Sequence, residues 1–430
     1  MSTAFGGVPL RYLQLLRRGP VLLLWSAQTL SVLGDRVYAM AVMWIAWEQA
    51  GAAAMGLVAI AESVPYILLG TFGRRIVDRF ASLQGLARLD LVRAVLVAGL
   101  PWTWSTYGTT GLLVSAVLLG VCGALFDPNL GALVPDLVEP ERVQTVFGLM
   151  DLTGRIARIA GPGSAAILLA VMPMSTLFWL DGATFVLSAL ALTVLARTAR
   201  AQRRTADVPA PAPDPEPAPR AWALLRAHPA TATALSVHSI GIFSTAVTMA
   251  MPALLATRLQ AGAATYGTVL AVIGAGSLVG NAIAGNVRLP RLLPAAYCGT
   301  WAISGVLLAV TGTSVSLPML LVVSAASGVV SPFLSITLST HLASFPKAAR
   351  RRLLTVDATL IRTAGTVSML ALPAAAAANP TVGFLVAGST TAIVGSVGCA
   401  LVVWRSRTTE IVPASGADEL SPVLATAGKG

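Results

Sequence analysis

Of 430 residues, 56% are hydrophobic and 11% are charged, with a net charge of +11 and a mean hydropathy of +0.78. A soluble chain carries about 25% charged residues, so too little polar surface is left to cover a water-facing globule, and lipid must cover the rest. The apolar runs are long and unbroken, not alternating at period two, which excludes an outer-membrane barrel.

The chain starts with a basic stretch. Residues 1–19 hold Arg11, Arg17 and Arg18 without an apolar core. The run that follows is too long for the apolar region of a cleavable signal, so no signal peptide is expected. About twenty apolar residues cross a bilayer. Runs of that length are predicted at 20–46, 52–72, 89–107, 111–134, 148–171 and 174–196. Six more are predicted at 230–256, 264–287, 294–312, 317–341, 353–376 and 380–404. Between the sets, residues 197–228 are first basic and then Pro-rich. They read as a non-helical cytoplasmic linker. The expected organisation is a first six-helix bundle over 1–196, the linker 197–228, a second bundle over 229–404 and a cytoplasmic tail over 405–430.

Basic residues give the orientation. Of the 29 Lys and Arg, 23 fall in segments on one side of this alternation, Arg258 alone lies on the other, and five sit within spans or at their ends. The asymmetry places both termini in the cytoplasm. It also absorbs the basic excess, so nucleic-acid binding is not implied. Trp44, Trp47, Trp102 and Trp104 cluster at predicted outer ends, as interfacial belts do.

An ionisable side chain at mid-bilayer costs at least about 2.5–3.5 kcal/mol and marks a functional site by default. Asp35 and Arg36 sit near the centre of span 1, and Glu62 sits at the centre of span 2. Arg155 and Arg158 share a face of span 5. Asp127, in span 4, precedes Pro128 and is expected to bond the backbone freed there; Asp181 lies in span 6. For both, a structural role is the stronger expectation. His238 reads as a satisfied polar residue and Asn281 as a helix–helix hydrogen bond. From Pro217 to Val356 there is no Asp or Glu, so a carboxylate that loads a proton must lie in the first half or near Asp357. Cys122, Cys298 and Cys399 are isolated and have no metal-ligand spacing. No nucleophile–base set is visible, so neither an enzyme nor a bound cofactor is expected. The absence of a soluble output domain argues against a sensor.

Several segments carry a resemblance. Span 1 contains TLSVLGDRVYAMAVMWI, span 2 ends ESVPYILLG, span 4 runs ALFDPNLGALVPDLVEPERV, and span 5 contains RIAGPGSAA. Together they resemble the major facilitator superfamily, most of all its twelve-span drug–proton antiporter branch of macrolide-efflux and enterobactin-exporter type. That resemblance implies an all-α membrane fold of twelve helices in two six-helix bundles around a central cavity. It implies export of a small, partly apolar molecule, a drug or natural product, driven by inward proton flow through the bacterial inner membrane. The partners implied are the substrate, protons and lipid, with the protein a monomer. Asp35 and Glu62 would bind the proton or a cationic substrate, and Arg36, Arg155 and Arg158 would tune them or meet anionic groups. The superfamily's loop after span 2 survives as RRIVDRFASLQ, which keeps Asp78 and Arg79 as a conformational latch but has Arg74 where Gly is usual and lacks the trailing Arg pair. Gly161 and Pro162 are similar to the Gly-Pro antiporter motif, which here ends in Ala165 and Ala166 instead of two glycines. A dedicated exporter of a siderophore or another anionic metabolite is the alternative.

Overall fold

The structure, a computed structural model, describes residues 8–205, 220–261 and 263–410. Every regular element among them is helical. A short helix α1 (Val8–Leu16) precedes α2 (Gly19–Phe72), whose 54 residues hold two candidate spans, Gly19–Ala46 and Ala54–Phe72. A one-turn connector, α3 (Arg74–Arg79), leads into α4 (Leu83–Leu133). At about 1.5 Å per residue, 51 residues are far too long for one crossing of a 30 Å core. The chain breaks at Gly108, whose φ of 55° favours a residue without Cβ. Gly111 then packs directly on the carbonyl of Thr103, so the two parts of α4 form a hairpin. Two 3-10 turns lead to α5 (Val143–Val171) and α6 (Met174–Thr205).

The second half begins with α7 (Ala221–Ala227). A single span follows, made of α8 (Pro229–Thr245), a 3-10 turn and α9 (Met251–Arg258). Then come α10 (Ala263–Ala284), α11 (Leu293–Thr313), α12 (Leu317–Ala343), α13 (Lys347–Ala378) and α14 (Pro380–Glu410). Nine stretches of the described residues are long and apolar enough to cross a membrane, and the α4 hairpin holds two spans in one stretch. The remaining two crossings are α5 and α13, long helices that carry intramembrane charge. Twelve spans result, as the hydropathy pattern requires.

Buried apolar side chains form four clusters, and each draws on one half only. Side chains as apolar as lipid gain little from meeting each other, so close backbone approach holds the spans together. Gly276 and Gly280 of α10 meet the carbonyls of Ala325 and Val329 on α12 with no room for a Cβ, and Gly305 and Gly388 do the same between α11 and α14.

The linker differs from expectation at both ends. Residues 197–205 continue α6, and α7 occupies 221–227. Arg, Ala and Gln are good helix formers, and the first proline comes only at Pro209. The Pro-rich part, 206–219, and the tail from 411 onward lie outside the described residues.

Candidate functional site

Intramembrane charge is arranged in three groups. The first lies within the first six spans, where Asp90, Arg93 and Asp181 are buried. Arg93 on α4 lies 3.4 Å from Asp90, one turn earlier, and 3.8 Å from Asp127 on the other arm of the hairpin. Its guanidinium stacks over Phe126 at 4.4 Å. Ser188 donates to Asp90 at 2.6 Å, and Tyr66 donates to Asp127 at 2.6 Å. Asp127 is therefore an acceptor for Tyr66 and a counter-ion for Arg93, where the sequence suggested a patch for the backbone at Pro128. Asp181 is almost fully buried behind Gly34 and accepts from Thr184 at 3.3 Å. Asp35 is exposed and Glu62 half-buried, and neither has an ion-pair partner within 4 Å among the described residues.

The second group lines a cavity of about 600 Å³ at the boundary between the halves. From α5 come Asp151, Arg155 and Arg158. Arg155 grips Asp151 through Nε at 2.6 Å and Nη2 at 3.2 Å, and donates to Ser331 at 3.0 Å. Asp151 also accepts from Ser335 at 2.6 Å and Asn281 at 2.8 Å. The expected Asn281 helix–helix bond is therefore one to a carboxylate. On the opposite wall His238 of α8 meets Asp357 of α13, Nδ1 to Oδ1 at 2.8 Å, with the rings of Tyr297 and Trp301 against the imidazole. Between these poles the wall is aliphatic, aromatic and hydroxylic, including Ile242, Leu308, Phe384 and a run of serines on α12.

The third group closes one end of the molecule. Asp78 of α3 pairs with Arg351 of α13 at 3.0 Å, and Asp136 pairs with Lys347 and Arg350, each at 3.1 Å. Arg350 also donates to the carbonyl of Ala132 at 2.8 Å, and Gln144 donates to those of Ala284 and Val287 at 2.7 Å. All of these contacts join the first half to the second at the ends that carry the basic loops. Nearby, Arg18 donates to both oxygens of Glu139 at 2.8 and 2.9 Å, and those bonds hold this exposed carboxyl below the ordinary range.

Of the residues singled out from sequence, Arg155 and Arg158 lie on the cavity wall. Asp35, Arg36, Glu62, Asp127 and Asp181 do not line it. Asp78 bridges the halves, whereas Arg79 is exposed and makes no described contact. Gly161 packs against the Cβ of Arg36, bringing α2 and α5 close, while the side chain of Pro162 lies outside the described set. Sequence reasoning missed Asp90 and Asp151, although each stands one helical turn before an Arg, the spacing of a pair. No group of three or more His, Cys, Asp or Glu able to hold a metal ion occurs among the described residues.

Residues 24–285, more than half of the chain, match the family model described as Major Facilitator Superfamily. An uncharacterised MFS-type transporter of Bacillus subtilis, YfiS, is 26% identical over 288 residues, 64% of this chain and 66% of that protein. The multidrug efflux pump Tap of Mycobacterium tuberculosis is 28% identical over 188 residues, 41% of this chain and 44% of the pump. Both relatives are thus matched over less than two thirds of their own length. Among solved structures, a bacterial homologue of the iron transporter ferroportin in its outward-facing state superposes with a TM-score of 0.71. It is 15% identical, and the match covers 91% of this chain and all of that one. At that identity the likeness concerns the fold.

Proposed function

The chain belongs to the Major Facilitator Superfamily, and from that premise we propose that it exports a small, partly apolar molecule, a drug or natural product, by proton antiport. The observation that carries this reading is a sealed end next to a cargo-sized cavity. Arg350 and Arg351 close the basic-loop end. Asp357 and Ile361 line the cavity only about two turns further along the same helix α13. Release of the seal would open the cavity to the other side, which is the movement alternating access needs. With the basic loops cytoplasmic, the sealed state faces outward, both termini are cytoplasmic, and the halves 1–196 and 229–404 are the moving bodies. The partial likeness to an efflux pump supports the outward direction.

In this reading Asp35 carries the proton, with Glu62 beside it on α2 and Arg36 setting the local field. Asp35 has no fixed counter-ion among the described residues, so its charge is free to change, whereas Asp90 and Asp127 are held by Arg93. A second seat is favoured by one observation: the His238–Asp357 pair touches the cavity directly. Asp78 and Arg351 form the latch. The test is accumulation of aromatic amphiphiles by everted vesicles under an imposed pH gradient, comparing Asp35→Asn and Glu62→Gln with Asp357→Asn. Loss in the first pair supports the α2 seat. Loss only in Asp357→Asn moves the seat to α13, and accumulation that ignores the gradient removes antiport.

A further inference from the structure

The charges around the cavity are unequally compensated. Arg155 is consumed by Asp151, Ser331 and Ser335 and cannot leave them without stripping a part-buried carboxylate of its cation. Asp357 is likewise engaged by His238. Arg158, one turn beyond Arg155 on the same face of α5, also lines the cavity, but it is exposed and has no carboxylate within 4 Å among the described residues. Arg36 adds to its field, brought close where Gly161 packs on the Arg36 Cβ, while the neighbouring Arg155 is offset by Asp151. The cavity therefore offers one uncommitted positive pole.

The facing wall matches such a pole. Serines at 324, 327, 331, 335 and 339 recur at three- and four-residue spacing, which sets them along one face of α12, and all five line the cavity. Apart from Ser335, whose hydroxyl is given to Asp151, these serines supply neutral donors along the path to Arg158. Away from this stripe the wall is apolar and aromatic, with Ile242, Trp301, Leu308 and Phe384.

We propose that the cavity selects amphipathic organic anions, the acidic head seated on Arg158 and the apolar body against the wall formed by Trp301 and its aliphatic neighbours. A cationic cargo meets repulsion at this pole, and a neutral one leaves a guanidinium without a partner once water is expelled. A carboxylate, sulfonate or phosphate satisfies it with charge-assisted hydrogen bonds. This assignment rests on the export reading for its physiological meaning, but binding can be measured without transport.

The experiment uses the full chain in nanodiscs of neutral lipid and two probes with one body, 1-pyrenesulfonate and 1-pyrenemethylammonium. Energy transfer from tryptophan to pyrene reports binding, with empty nanodiscs subtracted. The sulfonate is expected to bind at least about tenfold tighter than the ammonium. Arg158→Gln should remove about tenfold of the sulfonate affinity and, with the repulsion gone, tighten the ammonium, and Arg158→Lys should retain most of the sulfonate affinity. Equal binding of the two probes, preference for the cation, or an Arg158→Gln variant of unaltered thermal stability and unaltered sulfonate affinity would overturn the proposal. Sulfonate preference without gradient-driven accumulation of the same probe in everted vesicles would uphold the selectivity and sink the export reading.

Discussion

Two guanidiniums in the first six spans, Arg93 and Arg158, carry the same charge at membrane depth and live under opposite conditions. Arg93 is buried between Asp90 and Asp127 and capped by Phe126, and Ser188 and Tyr66 donate to its two carboxylates. Arg158 lines a cavity and has no carboxylate within 4 Å among the described residues. A charge in hydrocarbon must be neutralised, hydrated or used. Arg93 is neutralised by its own bundle, which makes it part of the scaffold. Arg158 is left for something that enters.

This contrast breaks first at Arg93. Arg93→Gln leaves two carboxylates without their cation, and losing one partner of a buried ionic group costs about 3–5 kcal/mol. The expected result is a steep fall in monodisperse yield and in Tm, while Arg158→Gln stays within about 0.5 kcal/mol of the parent. Equal losses in both variants would erase the distinction.

The seal is of intermediate strength, because Asp78 is part-exposed while Arg351 is buried. Asp78→Asn removes one inter-half pair and is expected to shift the balance between sealed and open states by roughly 1 kcal/mol, about fivefold in population. Distances between spin labels across the sealed end measure the shift. The double reversal Asp78→Arg with Arg351→Asp should restore much of the parental distribution, and a single variant with parental distances would show that the pair does not latch.

The smallest effect belongs to Glu139. Its carboxyl is held below the ordinary range by hydrogen bonds from Arg18. A depressed carboxylate adds stability above its unfolded value, about 4.3, and loses it as the pH falls through the folded value. Glu139→Gln should therefore lower Tm slightly at pH 7, by less in high salt, and by progressively less as the solution is acidified. A Tm difference that grows on acidification would reverse the sign.

Much of the scaffold is readable from the sequence because lipid forces backbone bonds inside each span and leaves apolar length as the signal. The span limits at Phe72, Met174, Leu293, Leu317 and Pro380 fall within a few residues of the hydropathy reading. Helix ends beyond the membrane are less legible, since residues 197–205 are polar yet helical. In the site, the i, i+3 pair Asp90–Arg93 and the i, i+4 pair Asp151–Arg155 were available from spacing, as was the serine stripe of α12, once charge is sought beside charge. The His238–Asp357 pair joins residues 119 apart, and Asp78–Arg351 joins residues 273 apart. Such partners depend on how two bundles meet, which no local period records.

Whether Asp35 of α2 drives the carrier is decided by pH-gradient-driven accumulation in everted vesicles, with anionic, cationic and neutral aromatic amphiphiles as probes. The parental chain should accumulate at least one probe and lose it when a protonophore collapses the gradient. Asp35→Asn should abolish the accumulation while allowing downhill exchange of the same probe. Accumulation that survives the protonophore, or an Asp35→Asn variant as active as the parent, would contradict proton antiport through that residue.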